Sequence, residues 1–244
     1  MVYFISNCES VHKHVTLGFR ARWPMSKISD ATIRRLSRYY RSLLHLEQKG
    51  QEMVSSKELA RREGVTPAQV RKDLSCFGHF GTRGLGYSVC QLKETIARIL
   101  GLHRTWNVAL VGAGSLGSAL ISYKEFKRQG FHIVAVFDND PGKMGKKRRG
   151  LTISDIRRLP QIIKELNIEL AIVAVPKTAA QSVVDLLVKT GLRMILNFAP
   201  ISLTAPPGVT IRNVNMAIEL EALSYRLTAD KIFRSGGEPE LSPV

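Results

Sequence analysis

Residues 106–117 read W-N-V-A-L-V-G-A-G-S-L-G. Val108–Val111 make a continuous apolar run, as a strand buried on both faces requires. Gly112, Gly114 and Gly117 complete G-x-G-x-x-G directly behind it. The first allows the turn, the second lets backbone approach a pyrophosphate, and the third lets helix and strand pack closely. Ala113, Ser115 and Leu116 fill the rest of the loop. A helix expected over residues 118–129 aims its positive end at the phosphates. A second strand, F-H-I-V-A-V-F-D, ends in Asp138, somewhat beyond twenty residues on. A carboxylate there accepts hydrogen bonds from ribose hydroxyls and repels a 2′-phosphate, which favours NADH and NAD+ as the ligand. Lys143, Lys146, Lys147, Arg148 and Arg149 follow and read as a solvated basic loop.

Downstream, E-L-A-I-V-A-V-P near 169–176 and R-M-I-L-N-F-A-P near 193–200 read as further strands, with an amphipathic helix over roughly 178–189 between them. Strand and helix in alternation imply right-handed crossovers in a parallel sheet. Ligands of such sheets lie at the strands' C-terminal ends, so Val175, Pro176, Asn197 and Phe198 are expected at the nicotinamide side, with Tyr123 approaching the same crevice from the first crossover helix. After a short strand near 209–214, residues 215–228 carry Met216, Leu220, Leu223 and Leu227 in one stripe, broadened by Ile218 and Ala222. A helix this apolar needs a partner surface, on its own sheet or on a second subunit. The remaining tail is expected to be disordered.

Upstream the signature changes. Ile33, Leu36, Tyr40, Leu43, Leu44 and Leu46 recur at helical spacing, with Ser29 or Asp30 as cap, Gly50 as stop, and Arg34, Arg35, Arg38 and Arg41 on the other face. Ser55 and Ser56 precede a second helix, with Glu58 placed for a capping box. Thr66 caps a third, with Pro67 at its first position. That third helix buries Val70, Leu74 and Phe77 and offers Gln69, Arg71, Lys72 and Ser75. Arg grips guanine, Gln pairs with adenine and Lys neutralises phosphate in a DNA groove. Ser55, Ser56, Lys57 and Thr66, at the starts of the two helices, join the expected DNA contacts. Asp73 is expected to pair with a basic neighbour. The glycine-rich stretch G-H-F-G-T-R-G-L-G-Y reads as a wing with Arg83 near its tip, and residues 92–100 as a linker helix.

The 244 residues carry a formal charge of +16, which suits a polyanionic partner. Residues 1–100 hold 17 Lys/Arg against 8 Asp/Glu, a net of +9; the rest hold 19 against 12, a net of +7. Basic density is thus greater where DNA contact is expected. Cys8, Cys76 and Cys90 form no C-x-x-C pair and no metal-spaced set, so no metal is expected and a reducing cytoplasm is. No apolar run approaches the ~20 residues a bilayer needs, so no membrane partner is expected. Residues 1–27 show neither helical nor strand period, and read as a mobile extension or as sequence ahead of a biological start at Met25.

The motifs R-Y-Y-R, S-S-K-E-L-A, V-T-P-A-Q-V-R-K-D-L-S-x-F-G, G-T-R-G-L-G-Y, V-G-A-G-S-L-G-S-A-L and L-N-F-A-P together resemble the Rex family of redox-sensing transcriptional repressors, from about Ile28 to Thr228. The resemblance implies an α/β chain. Its parts are a winged helix-turn-helix domain over 28–102, a Rossmann-type domain over 103–214 and a C-terminal helix over 215–229 swapped onto a partner, with residues 230–244 as tail. It implies a homodimer on an inverted-repeat operator, released when NADH accumulates. Tyr123 would stand beside the nicotinamide, Phe198 in the loop lining it, and Arg41, Tyr123 and Asn215 in the switch. Many relatives carry an acid where Asn215 stands, and an amide lacks that charge.

Two other readings compete. A NAD-dependent dehydrogenase would need a substrate domain and an acid/base pair. Neither follows the nucleotide fold, and none of the six histidines is expected at the crevice. A CoA-binding regulatory module shares the sheet pattern, but Asp138 and the DNA-reading segment argue against it.

Overall fold

The computed structural model describes residues 28–82 and 84–235, so the expectations for residues 1–27 and 236–244 and for Arg83 lie outside the described residues. The chain divides into two compact units that part between Arg104 and Thr105.

In the first unit, α1 (Asp30–Gln48) starts where Ser29 Oγ accepts the Thr32 N–H, and the chain leaves it through Gly50 at φ +73°. It buries Leu36, Tyr39, Leu43 and Leu46 completely. Tyr39, rather than the neighbouring Tyr40, takes the core position. β1 (Met53–Val54) leads into α2 (Ser56–Glu63), capped by Ser55. Glu58 does not close the expected box, since its carboxylate accepts from Gln51 and Arg62 instead. α3 (Pro67–Ser75) is capped by Thr66 Oγ1, which accepts the Gln69 N–H. β2 (Tyr87–Ser88) pairs antiparallel with β1, and one further bridge joins Thr82 to Gly86, so the wing is a short ribbon. α4 (Val89–Ile99) is no linker. Val89, Leu92 and Ile96 are buried in the same core as α1, against which the helix packs.

The second unit is a seven-stranded sheet among the described residues. Its strands are β3 (Trp106–Val111), β4 (Phe131–Asp138), β5 (Lys147–Arg148), β6 (Leu151–Asp155), β7 (Leu170–Val173), β8 (Met194–Asn197) and β9 (Thr210–Asn213). Their order is β5-β6-β4-β3-β7-β8-β9, parallel throughout except for the β5–β6 pair. The chain moves outward from β3 first to one side and then to the other, which opens the switch-point crevice beside β3 where such sheets bind ligands. Burial explains the apolar strands: Ala109, Leu110, Val111, Val136, Phe137 and Val173 are almost wholly enclosed between helical layers.

The first crossover helix differs from the expected 118–129. α5 (Ser115–Ser122) begins directly at the glycine loop, and Tyr123 at ψ +96° breaks it before α6 (Lys124–Arg128). The β5–β6 hairpin and α7 (Leu159–Glu165) were not expected at all. α8 (Lys177–Lys189) packs over β7. The terminal helix α9 (Met216–Ser235) continues past the expected end, so residues 230–235 are helix rather than disordered tail. All its side chains described through Asp230 are exposed, Leu220 at 66% and Leu223 at 58% among them.

Candidate functional site

The glycine loop is shaped by sterics. Gly112 sits at φ +103°, and a Cβ there would lie 2.3 Å from the Ala174 carbonyl oxygen. A Cβ on Gly117 would lie 1.9 Å from the oxygen of Gly112. Neither neighbour is a side chain that can move aside. Gly114 is different: a Cβ would meet nothing within 4 Å. Its bareness leaves backbone open on the side where α5 presents its N-terminal N–H groups, which suits an approaching diphosphate. The residues present therefore fit a dinucleotide.

Asp138 ends β4 beside this loop and is 6% exposed. Its Oδ2 accepts the Ala113 N–H at 2.8 Å and Lys143 Nζ at 3.1 Å, and its Oδ1 accepts the Asp140 N–H at 2.9 Å. Burial pushes this carboxyl up, but the two backbone donors and Lys143 outweigh it and hold the group below the usual carboxylate value. Asp138 thus clips the glycine loop to β4 before any ribose arrives. A carboxylate offers about four lone-pair positions, so room remains for one more donor. Lys143 is not the solvated cation expected, since it bridges Asp138 and Asp140. Arg149 also finds a partner, donating to Ser122 Oγ at 3.3 Å. Lys146, Lys147 and Arg148 are exposed.

Val175, Pro176 and Phe198 follow the C-terminal ends of β7 and β8, at the edge that also carries Gly112 and Asp138. Asn197 lies there as well, but it is fully buried and committed. Its Nδ2 donates to the carbonyls of Ala199 and Ile201 and to Asn213 Oδ1, and its Oδ1 accepts the Ala199 N–H. It builds the loop that holds Phe198. Tyr123 lies between α5 and α6 on the first crossover. It stands past the far end of α5, about 12 Å along the axis from the glycine loop at 1.5 Å per residue. The residue is 55% exposed and its ring meets Phe126 edge-on. Asn215 Oδ1 accepts the Ala217 N–H and so caps α9. Arg41 is exposed on α1.

In the first unit, Arg71, Lys72 and Lys57 are exposed and Gln69 is half-buried. Arg71 Nη1 donates to Ser56 Oγ at 3.2 Å, while the Ser55 and Thr66 hydroxyls serve as caps. Asp73, 1% exposed, pairs with Arg35 in a fork of two 2.6 Å bonds and also accepts Tyr39 Oη and Gln69 Nε2, each at 2.8 Å. Arg35 was expected on the solvent face of α1. The need to neutralise a buried carboxylate turns it inward. Burial pushes the Asp73 carboxyl up, and the donors from Arg35, Tyr39 and Gln69 bring it below its ordinary value.

No helix among the described residues is long and apolar enough to cross a membrane. Residues 27–75 match the family model described as putative DNA-binding protein N-terminus, and residues 103–201 match the one described as CoA binding domain. The chain is similar to the redox-sensing transcriptional repressor Rex of Desulforamulus reducens, 51% identical over 201 residues that make up 82% of this chain and 96% of the relative. It is equally similar to that of Carboxydothermus hydrogenoformans, at 50% over 204 residues, 84% of this chain and 98% of the relative. Among solved structures it resembles RSP, a Rex-family repressor, in complex with beta-NAD+ and operator DNA. There the TM-score is 0.81 and the identity 39%, over 85% of this chain and 96% of that one. The complex of RSP with beta-NADH gives 0.78 and 37%, over 86% and 98%. Half the residues are shared along nearly the full length of these relatives, and the chain belongs to the Rex family of redox-sensing transcriptional repressors, which are not enzymes.

Proposed function

We propose that this chain represses transcription by holding inverted-repeat operator DNA as a homodimer, and lets go when its glycine loop holds NADH. The observation that carries this is the coexistence of an open glycine cradle with a capped helix offering Gln69, Arg71 and Lys72. Solved relatives bound to NAD+ with operator and to NADH supply the ligands. We assign the DNA contacts to Ser55, Ser56, Lys57, Thr66, Gln69, Arg71, Lys72 and Arg83. The cofactor cradle is assigned to Gly112, Ala113, Gly114, Ser115, Leu116, Gly117 and Asp138. Val175, Pro176 and Phe198 border the nicotinamide side on the loop that Asn197 braces. Arg41, Tyr123 and Asn215 carry the switch. The domain boundaries follow the sequence: 28–102 for the head, 103–214 for the nucleotide fold and a dimerisation helix from 215.

When bound, the dinucleotide supplies a nicotinamide that is cationic when oxidised and neutral when reduced. Apolar surroundings at Phe198 would disfavour the cation by desolvation, and that difference would set the redox preference. The backbone N–H groups of the loop orient the diphosphate, and Asp138 holds the loop to β4. The apolar stripe of α9 is exposed in the single chain, and we assign it to the partner subunit, where its burial drives dimerisation. The protein works in the cytoplasm, where both DNA and the nicotinamide pool are found.

A gel shift on an inverted-repeat operator across a series of NADH:NAD+ ratios tests the proposal. Retention should fall as the reduced share rises, and unchanged retention with the cradle saturated would refute it. Coupling is reciprocal, so operator must weaken NADH binding by the same factor that NADH weakens operator binding. The family-model description of residues 103–201 favours one second reading, CoA binding. Parallel calorimetric titrations of CoA and NADH separate the two, with heat expected from NADH alone.

A further inference from the structure

Gln69 reaches its neighbour Asp73 one helical turn later, and that neighbour is buried, fully engaged and anionic. An ionised carboxylate only accepts hydrogen bonds. The Gln69 group that faces it must therefore be the NH2 end of the amide, not the oxygen. One amide proton is spent inward on Asp73 Oδ1. What remains is one carbonyl oxygen and one N–H, an acceptor beside a donor. In the major groove adenine offers the complement, N6–H to donate and N7 to accept, whereas guanine offers two acceptors, O6 and N7. A freely rotating glutamine can turn its amide to suit; a glutamine pinned by an anion cannot offer two donors.

We infer that Asp73 is a positioning residue that fixes the amide of Gln69 as an adenine reader and makes it reject guanine at one position of each half-site. Arg35 and Tyr39 hold the carboxylate in place, so α1 takes part in sequence reading without touching DNA. The inference rests on the proposed base contact of Gln69.

The test is selection of bound duplexes from a pool of inverted repeats with randomised half-sites, run on the full-length protein and on two variants. Gln69→Ala identifies the position it reads, where the wild-type preference of adenine over guanine, roughly ten-fold or more, should vanish. Unaltered preferences at every position in Gln69→Ala would show that Gln69 reads no base, which removes the base contact itself. Given that position, Asp73→Asn should bring adenine and guanine there to within about two-fold while the other positions keep their preferences. Full retention of the adenine preference, or an equal weakening at all positions, would overturn the inference. Should Asp73→Asn fail to fold, amide proton exchange in the wild type decides. One side-chain proton of Gln69, assigned by its loss in Gln69→Ala, should exchange far more slowly than its geminal partner, and equal exchange would overturn the inference.

Discussion

Each unit of this chain builds its functional surface around a buried carboxylate, but the two are held by different means. Around Asp73 every bond comes from a side chain, Arg35, Tyr39 and Gln69, and the guanidinium is itself mostly covered. Around Asp138 two of three donors are backbone N–H groups, and the third, Lys143, is 37% exposed. A head that reads DNA must present side chains in fixed orientations, so side chains are locked by side chains. A cradle that takes a diphosphate must present backbone, so backbone is locked to backbone and steric exclusion at glycine does the rest. The same pairing of carboxylate with cation is therefore structural in one unit and dispensable in the other.

The comparison breaks first at Arg35. Arg35→Met strips two bonds from a carboxylate that is 1% exposed and cannot rehydrate, which costs about 3–5 kcal/mol. Hydrogen exchange followed by mass spectrometry should show α1 and α3 peptides losing protection while β3 and β4 peptides keep theirs. Equal loss in both units would mean the carboxylate lattice does not stabilise the head separately.

Gly117→Ala comes next. The added Cβ meets the Gly112 oxygen at 1.9 Å, so the loop must shift. NADH affinity should fall about 100-fold, close to 3 kcal/mol, while operator binding without NADH stays within a few-fold of wild type. Calorimetric titration and a gel shift measure the two arms. A variant that keeps NADH affinity would show that the close approach is not needed to form the site.

How much of this was legible beforehand follows the range of the interactions. The caps at Ser29, Ser55 and Thr66 and the glycine loop are local devices, spelled out within four or five residues, and the structure has them where the sequence puts them. The Arg35–Asp73 fork spans 38 residues of chain, and no periodicity reveals which of four arginines on α1 turns inward. Asn197 carried no mark of burial, because its partner Asn213 is brought opposite it by the β8–β9 register, 16 residues along the chain. The break at Tyr123 has no glycine or proline to announce it. The two-residue strand β5 is too short for any alternation to show.

Acid titration sharpens the comparison further. Both carboxyls sit below their ordinary value of 3.8 in the folded chain, so the folded state binds fewer protons than the unfolded one in that range. The stability they contribute is fully present above that value and is lost as pH falls through the lowered folded values. Thermal midpoints should therefore be flat from pH 7 to about 5 and drop below about 4. Asp138→Asn should flatten part of that drop while its effect stays within the nucleotide unit by hydrogen exchange.

The smallest effect is expected at Lys143. Lys143→Met removes a cation from Asp138 as Arg35→Met removes one from Asp73, yet here the carboxylate keeps the N–H groups of Ala113 and Asp140. The lysine is partly in solvent, where an ion pair contributes under about 1 kcal/mol and fades with salt. The melting midpoint should move by no more than a few degrees, and the difference should shrink further in 1 M salt. A loss approaching that of Arg35→Met would mean the glycine loop depends on side-chain charge after all, and the contrast between a side-chain-built head and a backbone-built cradle would fall.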